Sequence, residues 1–118
     1  MCFVIHPRYP EVQTAKRDVV CYKEGFPLTD GTFAPFYKTY FSYRLGEVTK
    51  LPDKQWPVEW EDNSDLICVG FHSYSNKKKL STRTTHVKCI IPKGAHYFYN
   101  PEDKEYVSDQ IIVQEFMP

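Results

Sequence analysis

Short apolar runs, each closed by Gly, Pro, Asn or Asp, recur along the whole chain, a spacing that predicts strands rather than helices. Residues 18–23 (DVVCYK) read as a buried strand with a polar tip, bounded by Glu24, Gly25 and Pro27. After a turn over 29–32, residues 36–45 (FYKTYFSYRL) alternate imperfectly but are dense in Tyr and Phe, and residues 48–51 continue them after a bend at Gly46. The clearest strand is 66–74 (LICVGFHSY), where an apolar run leads into Gly70 and then an alternating aromatic and polar end. Its glycine marks a bulge or a close backbone approach. Residues 86–92 (HVKCIIP) give another buried strand, Lys93 and Gly94 turn the chain into 95–99 (AHYFY), and 100–103 (NPED) turn it again. Residues 105–116 (EYVSDQIIVQEF) give one or two strands interrupted near Asp109. Two stretches stay outside this pattern. Residues 52–65 (PDKQWPVEWEDNSD) read as an exposed acidic loop anchored by Trp56 and Trp60. Residues 75–85 read mostly as loop, with room for a helical turn around 77–80, because Ser and Thr crowd the second half.

Composition sharpens the class. A chain of 118 residues suits one compact domain spanning 1–118. Aromatics make up 16% of it, which suits pleated, half-buried surfaces, and nine Pro with five Gly leave little room for a long helix. No fixed-period repeat is visible. The expected fold is β-rich α+β: a single domain of about six to eight short, mainly antiparallel strands with at most one or two short helices.

The opening residues lack both a basic n-region and a small-residue cleavage site, so they do not read as a signal peptide. No run nears the roughly 18 apolar residues of a membrane span, and the expectation is a soluble, cytoplasmic protein with no membrane partner. Cys2, Cys21, Cys68 and Cys89 are far apart with no C-x-x-C pair, and read as reduced, mostly buried thiols. His6, His72, His86 and His96 show no metal-binding spacing, and the isolated glycines form no phosphate loop. No metal or cofactor is expected. Cys89 could be paired with His72 as a nucleophile, but it lies in the apolar run 87–91, where burial disfavours a thiolate and makes it inert core.

Charge is segregated. Residues 71–96 carry Lys77, Lys78, Lys79, Arg83, Lys88 and Lys93 and no carboxylate, although the net charge of the chain is zero. A local positive field of this kind attracts phosphate or carboxylate. Next to it, Phe71 and Tyr74 could stack a base while Lys77, Lys78, Lys79 and Arg83 meet phosphate and His72 adds a hydrogen bond. Glu105, at the start of the last strand region, could hold a ribose hydroxyl or act as a general base. The bland alternative makes Phe71 core, Tyr74 half-buried, and the lysines and Glu105 solvated.

The order Cys21-Tyr22-Lys23, Gly70-Phe71-His72-Ser73, Ile91-Pro92-Lys93-Gly94 and Glu105-Tyr106-Val107-Ser108 resembles small phage and prophage proteins of unknown function from gut bacteria, over nearly the whole chain. That resemblance supplies no catalytic residues. A fainter likeness is to the ADP-ribosyltransferase fold, which implies that Gly70, Phe71 and His72 line a nicotinamide pocket and that Glu105 is the catalytic acid. The early His or Arg of that fold has no counterpart in 20–25, and the segment 75–85 replaces its helix.

The leading expectation is therefore a non-catalytic, phage-type accessory protein that binds a nucleotide-like anionic small molecule and sequesters a host defence signal in the host cytoplasm. The alternatives are an ADP-ribosyltransferase-like enzyme or degenerate relative, and an inhibitor that docks on a host protein through the acidic loop around Trp56 and Trp60. Zero net charge and carboxylates near both ends disfavour duplex nucleic acid. Aromatic β-edges are compatible with a homodimer.

Overall fold

The computed structural model describes residues 3–35, 43–51, 66, 67, 70–76, 80 and 83–117. Among them lie eleven strands: β1 (Phe3–Val4), β2 (Gln13–Thr14), β3 (Val19–Pro27), β4 (Phe33–Pro35), β5 (Val48–Lys50), β6 (Leu66–Ile67), β7 (Phe71–Tyr74), β8 (Thr85–Ile91), β9 (His96–Asn100), β10 (Glu105–Ser108) and β11 (Gln110–Phe116). All pairings between them are antiparallel. The described residues contain no helix, and so none long and apolar enough to cross a membrane.

The larger sheet runs β2-β9-β10-β7-β3-β8-β11-β5, with β4 added at the far end of β3. β10 and β11 stand four places apart along this path, yet Asp109 alone separates them in the chain. Only a sheet that rolls up satisfies both conditions, so β10, β7, β3, β8 and β11 wrap into a small, partly closed barrel. Asp109 makes the corner. Its carboxylate accepts the His96 backbone N–H at 2.8 Å and the ring Nδ1–H at 2.9 Å, and its carbonyl accepts the Leu51 N–H at 2.9 Å. The corner also shifts by one residue which positions face the barrel interior, since Ser108 stands opposite Phe71 and Val113 opposite Cys89.

Because directly opposed residues share a face, the registers sort the side chains. Inward from β3 and β8 point Cys21, Lys23, Val87, Cys89 and Ile91, joined by Phe71, Ile111 and Val113 from the neighbouring strands and closed over by Phe33 and Tyr43. A smaller core lies outside the barrel, where the β1–β6 ribbon sets Phe3 and Ile67 against Phe98 and Val107. Asn100 Nδ2 pins that ribbon by donating to the Val4 carbonyl at 2.8 Å. The Cα radius of gyration is 13.7 Å, close to the roughly 13.5 Å of a compact domain this long.

The β-rich, antiparallel class is the one expected. The strand count exceeds six to eight, because β1, β2, β4, β5 and β6 are pieces of two or three residues, too short to show a period. The run 66–74 divides at Gly70, whose φ of 130° suits glycine alone, and β6 pairs with β1 while β7 enters the barrel. The polar tip expected at Lys23 is instead mid-strand and buried, since β3 continues to Pro27. Most of 36–45, all of 52–65 with Trp56 and Trp60, and Cys2 and Cys68 lie outside the described residues.

Candidate functional site

The residues marked by sequence fall on two faces of β7. Phe71 is 7% exposed, its ring packed edge-on against Tyr43 at 6.0 Å between centroids. It is core and presents no face to a base. The reason is period-2 alternation, which turns Phe71 and Ser73 inward and His72 and Tyr74, both half-buried, outward. Glu105 stands directly across from Tyr74 on β10 and is 5% exposed. Burial pushes its carboxyl pKa up, and the Tyr74 hydroxyl, donating to it, moderates the rise. Gly70 lies roughly 13 Å along the ladder from Glu105, so the two do not meet. Arg83 is exposed in the turn before β8. Lys77, Lys78 and Lys79 lie outside the described residues.

The structure adds an aromatic row that sequence reasoning did not single out. Across β9 and β10, Tyr106 packs against Tyr99 at 4.6 Å between centroids and against Tyr97 at 5.8 Å. All three are half-buried. Burial among these neighbours pushes the Tyr106 hydroxyl pKa up to about 12. The Tyr99 hydroxyl lies 3.2 Å from Ser75 Oγ, and the Ser75 N–H donates to the Lys104 carbonyl at 2.8 Å. The row therefore borders the end of β7, from which the chain continues through Asn76 into Lys77–Lys79. Its signal was present as the spacing Tyr97, Tyr99 and Tyr106, but only the β9–β10 register makes the three neighbours.

A second cluster is inside the barrel. Lys23 is 7% exposed; its Nζ donates to the His72 backbone carbonyl and sits 5.5 Å from the Tyr43 ring centroid. Burial lowers its pKa, opposed by the charges of Cys89, Cys21 and Glu105. Cys21 and Cys89 are free thiols directly paired across β3 and β8, both fully buried. The Cys21 pKa is lowered, chiefly by a hydrogen bond from the Cys89 thiol, with burial opposing and Ser73 and Lys23 assisting. The Cys89 pKa is raised by burial and by the proximity of Cys21. Ser73 Oγ is fully buried and makes no hydrogen bond that meets normal geometry; its weak interaction is with the Cys21 sulfur. Strand phase was the available signal, since Val19, Cys21 and Lys23 share one parity and hence one face.

No family model, curated protein or solved structure matches the chain.

Proposed function

We propose that the protein is a phage-type accessory protein that binds a nucleotide-like anionic small molecule without transforming it. The observation that carries this reading is the half-buried row Tyr97, Tyr106 and Tyr99, in which Tyr97 and Tyr106 pack against the main core and which borders the strand end that leads into the cationic segment. A base stacked on such rings gains about 1–3 kcal/mol, and any base has the π-face to do so. Lys104 in the adjoining turn and Lys77, Lys78, Lys79 and Arg83 in the chain after β7 supply cations for phosphate. The outward Tyr74, His72 and Glu105 are on the other side of the sheet and take no part in the stack. The phage-type resemblance of the sequence favours sequestration of a host defence signal, a task that needs affinity and no catalysis.

Calorimetric titration with a panel of linear and cyclic nucleotides tests this. Saturable binding is expected for at least one of them. It weakens about tenfold or more in Tyr99→Ala, in line with one lost stacking contact, and is unchanged in Tyr74→Ala. Flat traces throughout, or equal losses in both variants, would end the reading.

A further inference from the structure

We propose that Cys21 and Cys89 are a peroxide-reactive dithiol, oxidised by hydrogen peroxide to an intramolecular disulfide that joins β3 to β8. The register places them directly opposite one another. Opposed residues of an antiparallel ladder have Cα atoms about 4.5–5.5 Å apart, inside the window of about 4.4–6.8 Å that a disulfide spans. Little backbone movement is needed. Both side chains are 0% exposed, which excludes a bulky disulfide oxidant and favours one close to the size of water.

The surroundings supply what the chemistry needs. A thiolate in an apolar core requires a proton acceptor and a nearby cation, and Lys23, two residues from Cys21 on the same inward face of β3, is both by turns. The Cys21 thiol gives its proton to the Lys23 amine. Its sulfur then attacks one peroxide oxygen, the O–O bond breaks, and the departing hydroxide takes the proton back from the Lys23 ammonium to become water. Cys21 is now a sulfenic acid; sulfur has been oxidised and peroxide reduced. Ser73 Oγ, buried and only weakly engaged with the Cys21 sulfur, can donate to the new oxygen. Cys89 next passes its proton to Lys23, and its sulfur displaces hydroxide from Cys21. The S–S bond forms, the S–O bond breaks, and the hydroxide is protonated to a second water. Two thiols and one peroxide thus become one disulfide and two waters. This chemistry is independent of the nucleotide reading.

The test uses the full chain carrying Cys2→Ser and Cys68→Ser, reduced, desalted and treated with hydrogen peroxide under native conditions. The expected product is lighter by two hydrogens, and peptide mapping finds Cys21 linked to Cys89. Cys89→Ser should instead stop at a Cys21 sulfenic acid, captured by dimedone. Lys23→Met, which keeps the packing, should slow the reaction about tenfold or more by removing the proton acceptor. The measurement on the chain that keeps Lys23, Cys21 and Cys89 stands even if the Cys89→Ser or Lys23→Met variant fails to fold. Cys21 and Cys89 remaining fully alkylatable after peroxide, or a linkage forming as fast in the urea-unfolded chain, would overturn the proposal; an unchanged rate in Lys23→Met would overturn the role of Lys23.

Discussion

Replacing Lys23 by methionine should strengthen the fold at neutral pH. Lys23 is 7% exposed and its amino group, among the described residues, forms no ion pair with a carboxylate; the His72 carbonyl and the Tyr43 ring are its compensation. Methionine keeps the length of the stem and its packing on Tyr43. It leaves the His72 carbonyl without its donor, a loss of about 1–3 kcal/mol. Against this, burying a lysine costs several kcal/mol, whether as a desolvated charge or as the work of removing its proton, and apolar replacement of buried ionic groups stabilises by about 1–4 kcal/mol. The net expectation is a gain of about 1–2 kcal/mol, which for this chain length raises Tm by roughly 4–8 °C. The pH dependence supplies the sharper check. The folded protein holds the Lys23 pKa below its ordinary value, while the unfolded chain titrates near about 10.4. Between those two values the unfolded state binds the extra proton, so wild-type stability climbs with pH, by at most about 1.4 kcal/mol per pH unit for one group. The variant lacks that contribution, and its advantage should shrink as pH rises towards 10.4. Urea unfolding in reductant, at steps from neutral pH upward, measures the gap. A Lys23→Met protein that is less stable by more than about 2 kcal/mol, or a gap that ignores pH, would mean that partners hold Lys23 charged at no cost, against the reasoning above.

Phe71→Ala should cost about 3–5 kcal/mol, the range for emptying a buried phenylalanine site, while the half-buried, outward Tyr74→Ala costs clearly less. Comparable urea midpoints for the two variants would contradict the assignment of Phe71 to the core. Gly25→Ala should cost about 3 kcal/mol by overpacking, because its Cβ would lie 2.0 Å from the Ala34 carbonyl oxygen and 2.8 Å from Phe33 Cζ. A backbone carbonyl cannot swing aside, so β4 must lift from β3; a Tm within a degree or two of wild type would show that β4 does not pack as described.

Strands announce themselves locally. Alternation over 105–116 and the misfit at Asp109 located β10, β11 and the corner between them, and the turn at Lys93 and Gly94 separated β8 from β9 as expected. Alternation likewise carried the facts that turn Phe71 inward and place Lys23 in phase with Val19 and Cys21. Their meaning was hidden, because a stem in phase with apolar residues is buried only if the strand continues beyond it and another layer covers that face. β3 does continue, and Tyr43, arriving from a different part of the chain, does the covering.

Chain chemistry alone thus determined a β-rich class, the turns, and a segregated positive segment, since each depends on residues close in sequence. Tertiary structure alone decided that the sheet rolls shut at Asp109, that Cys21 faces Cys89 across 68 positions of chain, and that three tyrosines gather beside the end of β7. Such pairings are set by which strands share hydrogen bonds and in what register, and a one-residue slip in that register would send each of these side chains to the opposite face.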